Sequence, residues 1–350
     1  MIEFINQITP PDEQAMRTAR DNWNAIAKPL GSLGLLEQAV VKIAGITSAP
    51  DVTLDKRCVV VLCADNGVVC EGVTQSDSEV TAIVAKAIAE GTSNINLMAH
   101  TCRAQVMAVD IGMKETLLLP GMLRHKIAEG TGNIAQGAAM TLSEAERAIE
   151  VGMHLVQSCH ADGCRIIVTG EMGIGNTTTS AAIASVLLGL PPEKVTGRGA
   201  GLDSEGLHRK IAVIRRAIAV NHPDKNRPVE LLAKLGGYDI AGMVGLYLGG
   251  ALYKVPVVID GFISAVAAAL ACEICPAVRD YMLCSHVSKE PAGQWILDYL
   301  GLRSLITAEL CLGEGTGGVL LLPLLDAALA VYHSSHTFDN LPMERYVEWE

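Results

Sequence analysis

Aromatic side chains make up only 4% of this 350-residue chain, and charged ones only 19%. So few rings leave little stacking surface for single-stranded nucleic acid. Basic residues number 27 against 38 acidic ones, and a formal net charge of −11 opposes binding to phosphate backbones. No nucleic-acid partner is expected. Long apolar runs are missing as well. The stretches 240–252 and 261–271 are the longest, and both are too short to span a bilayer. They read as buried helices, and no membrane partner is expected. Residues 1–14 carry Glu3, Asp12 and Glu13 and lack an apolar core, so they do not read as a secretion signal. The expected compartment is therefore the cytoplasm, where the ten scattered cysteines read as reduced thiols. His154, Cys159, His160 and Cys164 match no usual zinc spacing, and Cys272-x-x-Cys275 has no second pair to complete a site. No metal is expected.

Half of the chain is hydrophobic and 34 residues are glycine, a balance that suits a compact α/β enzyme and argues against disorder. Pro10-Pro11-Asp12-Glu13 is a helix start, followed by Met16, Ala19, Trp23 and Ile26 at helical spacing. Lys28-Pro-Leu-Gly-Ser-Leu-Gly34 breaks that helix, and a second is expected over 35–46. From Arg57 the pattern changes. Cys58-Val-Val-Val-Leu-Cys63, Gln105-Val-Met-Ala-Val109, Arg165-Ile-Ile-Val168, Pro256-Val-Val-Ile259 and Tyr281-Met-Leu283 are short apolar runs, each ending in polar or glycine residues. Such runs, separated by helical stretches, predict a doubly wound, mainly parallel sheet with helices on both faces. Ligands of such sheets bind along the edge where the polar ends lie.

Cys311-Leu-Gly-Glu-Gly-Thr-Gly-Gly-Val319 sets one acid, Glu314, among glycines ahead of an apolar run over 319–325. A carboxylate held there has a general base's surroundings: burial raises its pKa, and glycine leaves room for substrate. An acid placed to favour a helix N-terminus is the alternative. Gly170-Glu-Met-Gly-Ile-Gly-Asn-Thr-Thr-Thr179 follows an expected strand and opens a helix expected over 180–188. Free N–H groups and the hydroxyls of Thr177 to Thr179 suit a phosphate there, while a plain strand-to-helix turn reads equally well. It lacks the lysine of a P-loop and the third glycine of the dinucleotide fingerprint. After Gly197-Arg-Gly-Ala-Gly201 comes a helix with Lys210, either a point charge for phosphate or part of a solvated face with Arg215 and Arg216. Ser285-His286-Val-Ser288 lacks the elbow of a serine hydrolase.

Five segments occur in order: Lys28-Pro-Leu-Gly-Ser-Leu-Gly34, Gly170-Glu-Met-Gly-Ile-Gly-Asn-Thr-Thr178, Gly236-Gly-Tyr-Asp-Ile-Ala-Gly242, Asp260-Gly-Phe262 and Leu312-Gly-Glu-Gly-Thr-Gly317. Together they closely resemble the nicotinate-nucleotide–dimethylbenzimidazole phosphoribosyltransferase family, from about Pro10 to His333. The resemblance implies transfer of the phosphoribosyl group of nicotinate mononucleotide to 5,6-dimethylbenzimidazole, giving α-ribazole 5′-phosphate and nicotinate for cobalamin. It implies no cofactor and no metal. It also implies a homodimer with a large α/β domain, here 50–295, and a small helical domain from both chain ends, 1–49 and 296–350. Matched position by position, Glu314 is the proton acceptor and Ser76 lies in the base pocket. Glu171, Gly173, Lys210 and Ser288 contact the ribose and phosphate. Two positions depart from the pattern: Asn66 stands for a histidine and Val84 for a glutamine, both in the region expected to hold the acceptor base. Adenine, other benzimidazoles and phenolic acceptors therefore stay open. A nucleotide N-glycosyl hydrolase with Glu171 and Glu314 as paired carboxylates is the rival enzyme. An inactive nucleotide-binding subunit is the rival without chemistry.

Overall fold

The computed structural model describes residues 6–115, 118–342 and 344–346. The expectation about a secretion signal in 1–14 therefore lies partly outside the described residues, as do the outer ends of the expected helical domain. The strands are β1 (Arg57–Ala64), β2 (Ala104–Gly112), β3 (Met122–Arg124), β4 (Ile166–Met172), β5 (Val257–Ile259) and β6 (Met282–Cys284). They form one sheet in the order β3-β2-β1-β4-β5-β6, and every neighbouring pair is parallel. This is the doubly wound arrangement, with its reversal of strand order between β1 and β4. Strand β3 has no counterpart in the apolar runs. It is three residues long at the sheet edge, and Leu123 and Arg124 are exposed.

Buried strands alternate their side chains between two cores. Cys58, Val60 and Leu62 of β1 join Ile167, Val257 and Ile259 on one face, under helices Leu142–Ala161, Asn176–Leu188, Tyr238–Leu252 and Phe262–Ile274. Val59, Val61 and Cys63 join Val168, Val258 and Leu283 on the other. That second face is covered by helices Glu13–Ala25, Leu35–Thr47, Glu79–Ala89, Asn94–Thr101 and Leu321–Tyr332. Burial on both sides explains why β1 reads as an unbroken apolar run.

The two chain ends meet on this second face. The Trp23 and Tyr332 rings lie 5.0 Å apart, Asn22 Nδ2 donates to the Tyr332 hydroxyl at 3.0 Å, and that hydroxyl donates to Pro50 O at 2.7 Å. The Lys28-Pro-Leu-Gly-Ser-Leu-Gly34 turn shapes the same region. Glu37 Oε1 accepts from Lys28 Nζ at 2.6 Å and from Leu33 N at 2.8 Å. Helix Gly293–Leu300 packs instead against Phe262–Ile274 on the first face, so the expected domain boundary at 295/296 falls inside it. Among the described residues, no helix is long and apolar enough to cross a membrane.

A close helix crossing pairs Leu142–Ala161 with Tyr238–Leu252, where Gly152 meets Gly245. A Cβ on Gly152 would lie 2.8 Å from Gly245 Cα and from Leu246 N, and closer still to Gly242 O. Backbone atoms cannot yield there, so Gly152→Ala should destabilise the protein by about 1–3 kcal/mol in urea unfolding. Gly137→Ala, whose Cβ would meet nothing within 4 Å, should stay within about 0.5 kcal/mol of the parent. Equal midpoints for the two variants would show that this crossing does not depend on glycine.

Candidate active site

Four strands end along one edge in chemically active residues. β1 runs into Asp65 and Asn66, β4 ends in Glu171 and Met172 before Gly173, β5 leads to Asp260, and β6 to Ser285 and His286. An open cleft of about 1070 Å³ lies along this edge beside the β1/β4 reversal. Ser76, Glu171, Gly173, Lys210, Ser288 and Glu314 all line it. The structure therefore brings together these six residues and Thr177, all singled out in the sequence, and adds Arg198, Asp260, His286 and Glu290 to the same walls.

Glu314 sits in an unusual backbone. Gly313, Glu314 and Gly315 all have positive φ, at 85°, 62° and 91°. Glycine takes that region freely, but for a glutamate it costs about 1–3 kcal/mol. The turn rests on β4, where a Cβ on Gly170 would lie 2.6 Å from Glu314 O. Glu314 is 7% exposed, and its Oε2 accepts a hydrogen bond from Ile95 N at 3.3 Å. Burial raises its pKa, while Ile95, Asn94 and Ser93 oppose the rise by bonding to the charged form. It lines the cleft and also sits at the first turn of helix Asn94–Thr101. The apolar run after it does not wall the carboxylate alone; Val319, Leu321, Leu322 and Leu325 enter the second core.

The other end of the cleft is cationic. Helix Ser204–Asn221 carries Lys210 inward, not on a solvated face: Lys210 is 1% exposed, whereas Arg215 and Arg216 are exposed. Lys210 Nζ donates to Thr177 Oγ1 at 2.8 Å. Burial lowers its pKa to about 8, and the nearby Glu290 carboxylate opposes that fall. Helix Asn176–Leu188 begins four residues before the expected start, capped by Gly175 at φ 94°. Of the three threonines only Thr177 lines the cleft, because Thr178 and Thr179 turn into the protein. Arg198 is visible in the glycine-rich turn before this helix, but it donates to Leu202 O at 2.7 Å and so already has a structural partner.

Between these ends lies a group of buried acids. Asn176 Nδ2 donates to Glu171 Oε2 and, at 2.8 Å, to Asp239 Oδ2. Burial and then the charge of Asp239 push Glu171 up to about 8, so it holds a proton at neutral pH. Asp239 rises to about 6 and Asp260 to about 7, each through burial first. His286 falls to about 4 by burial and is neutral. Its Nδ1 lies 3.0 Å from Ser285 Oγ, but that hydroxyl is fully buried within 2.7 Å of Ile259 O, which is no place for a nucleophile.

The two departing positions do not line the cleft. Asn66 is fully buried beside Asp239, Gly173 and Gly237, with both side-chain polar atoms lacking a hydrogen-bond partner. Val84 packs half-buried against the second core. Neither side chain is therefore placed for the expected direct contact with an acceptor base. Cys159 faces Met107 Sδ at 3.7 Å, Cys164 donates to Ile166 O at 3.2 Å, and His160 stacks on Tyr253. These side chains turn to separate partners.

A family model described as "Phosphoribosyltransferase" matches residues 8–341. The nicotinate-nucleotide–dimethylbenzimidazole phosphoribosyltransferase of Ruminiclostridium cellulolyticum is 42% identical over 344 residues, 98% of each chain. That of Desulforudis audaxviator is 44% identical over 337 residues, 96% of each. The crystal structure of CobT from Thermus thermophilus matches with a TM-score of 0.90 at 40% identity, over 95% of this chain and 100% of that one. With that agreement along its whole length, the chain is a phosphoribosyltransferase and belongs to the nicotinate-nucleotide–dimethylbenzimidazole phosphoribosyltransferase family.

Proposed function

We propose that the protein transfers the phosphoribosyl group of nicotinate mononucleotide to 5,6-dimethylbenzimidazole or a related base, giving α-ribazole 5′-phosphate and nicotinate. One observation carries this reading: a single cleft is lined by a buried lysine, Lys210, and by two buried carboxyl groups, Glu171 and Glu314, and burial raises the pKa of both acids. Lys210, Thr177 and Ser288 suit the 5′-phosphate. Glu171, as a neutral acid, offers an O–H to a ribose hydroxyl. The C1′–N bond to the pyridinium ring breaks with both electrons going to nitrogen, so nicotinate leaves without needing a proton. The unprotonated ring nitrogen of the acceptor bonds through its lone pair to C1′ from the opposite side, and the proton on the other ring nitrogen passes to Glu314. We also read the two chain ends as one small helical unit, the enzyme as cytoplasmic, and the active form as a homodimer. Exposed Ile83 and Leu97, on neighbouring helices, support the dimer. Family membership favours transfer over hydrolysis, and nicotinate mononucleotide incubated without a base should release no nicotinate.

Lys210→Ala should raise the KM for nicotinate mononucleotide by about 10–100-fold, the worth of a charge-assisted hydrogen bond. Nicotinate riboside, which lacks the phosphate, should lose far less. In the parent enzyme kcat/KM for the nucleotide should fall as pH rises through about 8, because Lys210 then loses the proton that attracts phosphate. Glu171 titrates in the same range, so the riboside profile is the reference to divide out. Equal effects on nucleotide and riboside would remove Lys210 from the phosphate.

Glu314→Gln keeps the shape of the side chain and removes the proton acceptor. With an N–H acceptor, kcat should fall by about 10² to 10⁴ while nucleotide binding survives. An N-methylated benzimidazole with a free ring nitrogen has no proton to give and should be affected much less. Near-native turnover with the N–H acceptor would make the carboxylate structural.

A further inference from the structure

The left-handed turn that presents Glu314 cannot hold itself. Gly313 and Gly315 leave the backbone free on both sides, and the conformation of Glu314 is unfavourable for a residue with a side chain. Asp260 supplies the restraint from the neighbouring strand. Its Oδ1 accepts from Gly318 N at 2.7 Å and its Oδ2 from Gly315 N at 3.2 Å. From the far side, Thr316 Oγ1 donates to Gly313 O at 2.7 Å. The turn is thereby pressed onto the sheet, where a Cβ on Gly315 would lie 2.9 Å from Val59 Cγ1 of β1 and 3.2 Å from Thr169 O of β4. Asp260 is itself fixed, since Ser264 Oγ accepts its backbone N–H at 3.1 Å. The same Ser264 hydroxyl bonds to Thr169 and Tyr247, both at 2.6 Å.

We infer that Asp260 is a positioning residue for the transfer: it holds the Gly313–Gly318 turn so that Glu314 meets the N–H of the acceptor. The inference rests on the reading of Glu314 as proton acceptor. Asp260 lines the cleft, yet both of its oxygens point at backbone N–H groups of this turn. A carboxylate accepts on both oxygens, whereas an asparagine of the same shape turns an NH₂ against one of those two N–H groups. Burial raises the pKa of Asp260, and the N–H groups of Gly318, Gly315 and Gly317 act against that rise by favouring the ionised form.

The test is a set of variants assayed with nicotinate mononucleotide and either benzimidazole or its N-methyl derivative, with nucleotide affinity measured by calorimetry. Asp260→Asn should lower kcat with benzimidazole by about 10–100-fold, the scale of a small misplacement of a reacting group. The nucleotide Kd should change by less than about 3-fold, and turnover of the N-methyl acceptor should fall much less. Thr316→Val, which removes one hydroxyl and no charge, should give the same signature with a loss of about 3–10-fold, as for one neutral hydrogen bond. In a Glu314→Gln background neither change should add a further loss, because both act through Glu314. Additive losses, a weakened nucleotide Kd, or equal losses with both acceptors would overturn the assignment, and so would a Thr316→Val enzyme without the signature. A near-native Glu314→Gln enzyme would overturn the reading of Glu314 itself. A crippled Glu314→Gln beside a near-native Asp260→Asn would remove Asp260 alone.

Discussion

Desolvated negative charge governs this site. Glu171, Asp239, Asp260 and Glu314 are each at most 7% exposed. Burial disfavours the charged form of every one of them, so each must find donors or keep a proton. The solutions differ. Asp260 takes backbone N–H groups and Glu314 takes the first turn of a helix. Glu171 and Asp239 share the amide of Asn176, and Glu171 keeps its proton. One chemical type thereby meets burial in three ways around a single cleft: backbone donors, a helix turn and a retained proton.

The fold makes that crowding possible. A parallel sheet sends the ends of β1, β4, β5 and β6 to one edge, and the reversal between β1 and β4 opens a crevice there. Residues far apart in the chain are then neighbours without any long loop. The opposite charge, Lys210, arrives from a helix that covers the first face and reaches over the start of Asn176–Leu188. A buried lysine and the Glu314 carboxyl group thus line the same crevice.

Much of this is legible in the chain itself. Five of the six described strands carry an apolar run, because all but the first half of β2 is buried on both faces, and periodicity reports that directly. β3 leaves no such trace, since three residues with two exposed side chains make no pattern. The glycine-bracketed acid points to Glu314, and the family resemblance brings in Ser76, Glu171, Gly173, Lys210 and Ser288. Asp260, Asn176 and Asp239 are in view as parts of motifs, but their work is to bond to groups distant in sequence, and spacing cannot express that. The helix start at Asn176 is hidden because three threonines are weak helix formers, and here packing against the first core overrides propensity. The family resemblance suggests a pocket role for Asn66 and Val84, yet neither lines the cleft.

The hydrogen bond from Ile95 to Glu314 spans 219 positions. Its turn also leans on β4 and hangs from the end of β5, so three remote parts of the chain must be in place before the acid takes its backbone shape. During synthesis from the N-terminus, β1 to β5 and Lys210 all precede residue 314. Contacts of such long separation are slow to close, because the intervening chain must first lose its freedom. Glu314 therefore reaches its place only once these distant segments have met, and a chain with most of the cleft wall assembled can still lack this carboxylate in position.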